Sequence, residues 1–212
     1  MLGLFGDSPA QFVYLVISMV VALTIHELAH AWTAFQLGDD TAQRAGRLTL
    51  NPLKHLDPLG TLMILFAGFG WAKPVPFDPY TVTRRTPAGV MLVAAAGPLS
   101  NLLMAIVASI PFQTGLLSSA LASGGLLLYA RPFLATFIYL NLILLFFNLL
   151  PVSPLDGEKV LTYFLPPSGQ ATMARLRPYG PMLLILLMVA GRGIFNVVIG
   201  TPVNQLFQLL VS

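Results

Sequence analysis

FVYLVISMVVALTIHELAHAW, residues Phe12 to Trp32, is the stretch that decides how this chain is read. About 20 apolar residues cross the roughly 30 Å of hydrocarbon in a bilayer, and this run is that long. Its C-terminal half nevertheless carries His26, Glu27 and His30. Ionisable groups inside a span are expensive and mark function by default. The run has neither a basic leading region nor a small-residue cleavage site, so it reads as a retained span and not as a removable signal peptide.

The rest of the composition agrees. Of 212 residues, 56% are apolar and 9% are charged, against about 45–50% and about 25% in soluble domains. An ordinary soluble globule is excluded. Cysteine is absent, which removes disulfides, thiolate metal sites and cysteine nucleophiles. The net charge of +3 is too small and too dispersed to indicate nucleic acid, so the lipid bilayer is the expected partner and Lys and Arg are read as topology markers.

Gly89 to Phe112 and Pro132 to Leu155 contain no charge and read as the second and third spans. Tyr179 to Gly200, interrupted only by Arg192, reads as the fourth, after a linker at Leu165 to Gly169. Thr201 to Ser212 has Val203, Leu206, Phe207, Leu210 and Val211 at helical spacing and reads as an interfacial helix. Leu59 to Ala72 and Leu116 to Tyr129 are each too short to cross. If Leu59 to Ala72 is re-entrant, Arg44, Arg47, Lys54, Lys73, Arg84, Arg85, Lys159, Arg175 and Arg177 share one face. If it crosses, that bias vanishes, so the re-entrant reading is preferred, with the basic side cytoplasmic. The expected fold is an α-helical polytopic membrane protein: about four core transmembrane helices, a re-entrant or β-hairpin membrane segment and a C-terminal interfacial helix.

His26-Glu27-Leu28-Ala29-His30 is the pattern H-E-x-x-H. On a helix the two histidines lie one turn apart on one face and reach one metal ion, while the intervening glutamate is placed to act as general base on water. With three His and two Glu in the chain, a chance match has a probability of about 0.0004. The metal needs a third protein ligand. Asp7, Asp39, Asp40 and Asp78 sit in polar segments and are expected in solvent. Asp156 ends an uncharged run beside Pro151, Pro154 and Gly157 and is the best candidate, with Asp57 or His55 in reserve.

The combination of H-E-x-x-H in one span, Gly97-Pro98-Leu99-Ser100-Asn101 in a later one, and Asn148-Leu149-Leu150-Pro151-Val152-Ser153-Pro154-Leu155-Asp156-Gly157 at the end of the next resembles the site-2 protease family of intramembrane zinc metalloproteases. The resemblance runs from about Phe12 to Leu161. It implies one Zn2+ per chain held by His26, His30 and Asp156, Glu27 as the catalytic acid/base, and Asn148 near the metal as a substrate-positioning or oxyanion-stabilising group. The segment Asn51 to Gly60 (NPLKHLDPLG) looks like a pattern of compact members without a PDZ or CBS domain. On this reading residues 1–212 form a single intramembrane metalloprotease domain, with a catalytic core of about 12–161 and a C-terminal span and interfacial helix of about 178–212. The substrate is a transmembrane segment of another protein, which pairs in extended form with Leu59 to Ala72 by strand addition. Water reaches the site from the cytoplasmic side of the cell membrane. Two rival readings use the same residues: an ion or proton path, and a metal-binding membrane protein without catalysis.

Overall fold

A computed structural model describes residues 8–67, 70–117, 128–189 and 191–212. Helix α1 runs from Pro9 to Gln36; Ser8 caps it by accepting from the Gln11 amide, and Pro9 sits where no helical N–H is needed. At 1.5 Å per residue its 28 residues extend about 42 Å. One face is buried, with Ala22, His26, His30 and Ala34 following at intervals of four and Leu23, Glu27 and Ala31 beside them.

That face packs along α5 (Gly89–Gln113). The buried residues of α5 are mostly small: Ala94, Gly97, Pro98, Asn101, Ala105 and Ser109. In lipid no hydrophobic force drives helices together, so small residues that let backbones approach closely are what hold them. The next long helix, α6 (Ala130–Asn148), packs on both α1 and α5. A fourth apolar helix, α10 (Gly193–Val211), closes the bundle, with Ile199 and Val203 buried against Ala105, Ile138 and Leu142. Gln113 donates to the carbonyls of Leu209 and Leu210 and so satisfies the end of α10. All four helices are long and apolar enough to span a membrane. Their outward sides carry exposed Val13, Ile17, Leu103, Val107, Val197 and Leu209, which a lipid surround accommodates and water would not.

The fourth long helix is displaced from its expected place. Gly180–Val189 is a separate ten-residue helix, α9, and from Arg192 the chain is helical through Thr201, widening to a π turn at Asn196–Gly200. The face read as interfacial, Val203, Leu206, Phe207 and Leu210, packs on α5 and α6; amphipathic spacing is the same for a helix lying on lipid and one leaning on a bundle. The stretch expected as a linker starts α8 (Pro167–Leu176), with Pro167 in its first turn. Leu116 to Tyr129 lies largely outside the described residues.

Four short helices complete the structure: α2 (Thr41–Arg44), α3 (Pro58–Ala67), α4 (Pro79–Arg85) and α7 (Asp156–Phe164). Among the described residues there is no strand, only an isolated antiparallel bridge between Leu56 and Ala72. Beside it, the Lys73 amide donates to the His55 carbonyl. The chain therefore leaves at Leu56 and returns next to it at Ala72. Its described part between them is the helix Pro58–Ala67 and not a β-hairpin. The motif Asn51 to Gly60 builds the base of this excursion: Asn51 caps a 3-10 turn, Asp57 accepts from the Gly60 amide at the start of α3, and Gly60 lies against the Trp71 backbone.

A side chain at position 60 would place its Cβ 2.1 Å from the Trp71 carbonyl oxygen. Gly60→Ala is therefore expected to cost more than about 1 kcal/mol. Thermal unfolding in detergent should show a lowered midpoint, and limited proteolysis should cut faster between residues 56 and 72.

Candidate metal centre and its cavity

His26 and His30 sit one turn apart on the buried face of α1, and Asp156 begins α7 after the turn that follows α6. Three donor atoms converge. His26 Nε2 and His30 Nε2 are 3.0 Å apart, and each is 3.3 Å from Asp156 Oδ2. Zinc bonds of about 2.0–2.2 Å to nitrogen and oxygen give a tetrahedron with edges of about 3.3–3.4 Å, close to this triangle. Among the described residues this is the one group of three or more His, Asp or Glu that meets the spacing for a metal ion.

The hydrogen bonds on the far side of each ring strengthen the argument. His30 Nδ1 lies 2.6 Å from the Val93 carbonyl oxygen, and His26 Nδ1 lies 2.6 Å from Asn101 Oδ1. Oxygen acceptors there place the ring protons on Nδ1, so both Nε2 atoms present lone pairs to each other and to a carboxylate. Three acceptors with no hydrogen between them repel; a cation at their centre turns the repulsion into coordination. The donor chemistry therefore fits zinc, with room for a fourth ligand.

Helix α5 makes space for this. A Cβ on Gly97 would stand 2.4 Å from His30 Nε2 and 2.6 Å from His26 Nε2. Gly97, part of the motif at residues 97–101, thus lets the two imidazoles come close to α5.

The donors open into a cavity of about 310 Å³. Its polar lining includes Glu27, Asn148 and Lys159, and Trp71, Phe77 and Phe147 contribute apolar wall. Glu27 is buried and takes a hydrogen bond from the Val75 amide. The Asn148 amide nitrogen donates to the Leu144 carbonyl in its own helix, which leaves its second N–H for the cavity. Lys159 Nζ is 3.9 Å from Asp156 Oδ1, the oxygen turned away from the histidines.

Several charges lie where the sequence did not place them. Arg47, counted among the topology markers, is buried: its guanidinium donates to the Pro74 carbonyl at 3.2 Å and to the Lys73 carbonyl, and stands 4.0 Å from Glu27 Oε2. It thereby ties the chain that lines the cavity to the carboxylate inside it. Asp39 is not in solvent; it is 3% exposed and accepts from Thr41 and from the Asp78 amide. The reserve ligands are elsewhere. Asp57 caps α3, and His55 is fully buried with Nε2 2.7 Å from the Thr49 carbonyl. Burial pushes the His55 imidazole down from its ordinary value. Strand addition along Leu59 to Ala72 is also corrected: as far as Ala67 the segment is helical, and its backbone groups are bonded within the helix. From Gly70 to Phe77 the chain lies outside any helix.

A family model described as Peptidase family M50 matches residues 114–191, which include Asn148 and Asp156. The Bacillus subtilis (strain 168) protein named "Putative zinc metalloprotease YwhC" is 45% identical over 184 residues, 85% of this chain and 82% of that one. The chain belongs to peptidase family M50. This is the site-2 protease family that its motifs resemble. M50 relatives named "Putative zinc metalloprotease Rip2" are 29% identical over 184 residues in Mycolicibacterium smegmatis and 32% over 182 residues in Mycobacterium tuberculosis (strain H37Rv). The matches cover 84% of this chain in both cases, and 67% and 68% of those proteins. No solved structure matches.

For this M50 chain the approach of α5 to the donors supplies a test. Gly97→Ala should keep helicity, since Ala is the better helix former, and yet prevent metal uptake because its methyl occupies the space of the two Nε2 lone pairs. Elemental analysis of the purified variant is expected to find far less zinc per chain than in the wild type.

Proposed function

We propose that this chain is a zinc-dependent intramembrane endopeptidase that cleaves peptide bonds within or near transmembrane segments of other membrane proteins, as in regulated intramembrane proteolysis. The single observation that carries the reading is the convergence of His26 Nε2, His30 Nε2 and Asp156 Oδ2 beside Glu27 in one cavity. His26, His30 and Asp156 would hold one zinc ion. When bound, zinc supplies a Lewis acid that activates water and polarises the scissile carbonyl.

The chain's own groups do the rest. Glu27 takes a proton from the attacking water at a carboxylate oxygen and returns it to the departing amide nitrogen. Asn148 directs its remaining N–H at the carbonyl oxygen where negative charge develops, a kind of contact worth about 2.7–4 kcal/mol in other acyl-transfer enzymes. A helical substrate hides its carbonyls in internal bonds, so it has to be held extended. The wall from Gly70 to Phe77 lies outside any helix, and Arg47 holds it in place through the Lys73 and Pro74 carbonyls. We place the face rich in Lys and Arg in the cytoplasm, with water entering from that side. An ion path would require donors and acceptors in sequence along a route; here the acceptors meet at a point.

Purified protein incubated with transmembrane peptides should cleave them, and a chelator should stop it. Glu27→Gln is expected to keep its zinc and lose at least about 100-fold in rate, whereas Asp156→Ala loses the zinc as well. Cleavage by Glu27→Gln at the wild-type rate would sink the mechanism.

A further inference from the structure

Asn101 and Asn141 are both completely buried between α1, α5 and α6, although neither lines the cavity. They form a chain of hydrogen bonds with one direction. Asn141 Nδ2 donates to the Phe137 carbonyl at 2.8 Å. A carbonyl only accepts, so the NH2 end of Asn141 must face it and its Oδ1 must face Asn101. Asn101 Nδ2 donates to that oxygen at 2.9 Å, which turns Asn101 Oδ1 toward His26. His26 Nδ1, 2.6 Å away, must then carry the ring proton. The choice between O and N in an amide side chain is settled by its network, and here the network ends on an atom that has no choice.

We propose that Asn101 and Asn141 are positioning residues that lock His26 in its Nδ1–H tautomer, so that a main-chain carbonyl of α6 determines that His26 Nε2 offers a lone pair to the metal. His30 needs no such relay, because its Nδ1 meets the Val93 carbonyl directly. Partners behind a metal-bound histidine fix ring orientation and tautomer, and their loss commonly costs 10- to 100-fold in metal affinity. Two amides and no charge do this work, which suits a site between apolar helices where an unpaired polar group is costly. The inference rests on the metal-site reading above, but its first test needs no metal.

Nitrogen NMR of isotope-labelled histidine in the metal-free protein should find His26 as the Nδ1–H tautomer, and Asn101→Leu should release it to a mixture. Zinc affinity of Asn101→Leu is expected to fall about 10- to 100-fold, with a change in the visible absorption of the cobalt(II) derivative. Asn101→Asp, which keeps an acceptor on His26 Nδ1, should restore most of that affinity. The double variant Asn101→Leu/Asn141→Leu removes both partners of the inner bond and is expected to fold more stably than Asn101→Leu, which leaves Asn141 Oδ1 unpaired, yet to bind zinc no better than Asn101→Leu alone. An Nε2–H tautomer in the wild type, a zinc affinity of Asn101→Leu equal to wild type, or an Asn101→Asp as weak as Asn101→Leu would each overturn the proposal. Failure of the wild type to bind zinc, with the Nδ1–H tautomer still present, would count against the metal reading and not against the relay.

Discussion

Every part of this structure answers to the difficulty of keeping polar atoms inside an apolar bundle. Among the described residues three imidazoles, three carboxylates, a guanidinium and two amides lie buried in a fold whose buried apolar residues are mostly alanine, leucine and valine. A bilayer offers such groups no partners, so each must find one in the protein or in a bound cation. The arrangement of α1, α5 and α6 follows from that demand. α5 approaches α1 through small residues and supplies the Val93 carbonyl and the Asn101 amide. α6 supplies the amide behind Asn101, and the turn after it brings Asp156 to the open side of the rings. Helix packing and ligand placement are one problem with one solution.

The loops obey the same logic. The excursion from Asn51 to Phe77 satisfies its own backbone at the base, through the Leu56 and Ala72 bridge and the Lys73 to His55 bond. Its remaining carbonyls at Lys73 and Pro74 turn inward to Arg47. Beyond the donors, Glu158 is buried in an ion pair with Arg177 at 2.9 Å, and Gly180 lies against the Ser153 backbone. The metal-facing turn is thus held from its outer side by the start of the C-terminal helices.

Much of the site was legible because its chemistry is local. Two histidines at a spacing of four on one helix declare a shared face, and the scarcity of acids left Asp156 as the best third donor. Three of the four long helices were visible as long apolar runs, two of them without a charge. What escaped detection depends on pairs distant in sequence. Arg47 looks like any surface arginine until the Lys73 and Pro74 carbonyls appear beside it, and Asp39 looks solvated until Asp78 comes to it. Asn101 was visible only as part of the motif at residues 97–101, and its partner could not be read 75 residues away in α1. The C-terminal helix was misplaced because the most hydrophobic run, in α9, is only ten residues long, while a less hydrophobic one continues for 19.

The donor set is divided by chain order: His26 and His30 belong to the first helix, and Asp156 follows the third long one. A ribosome delivers them in that sequence. While the intervening helices enter the bilayer, the growing chain holds the two imidazoles and the Glu27 carboxylate but lacks Asp156. The centre is completed only when α6 has packed and the turn behind it has closed. Topology therefore delays the assembly of the candidate metal centre until most of the bundle that encloses it has been built.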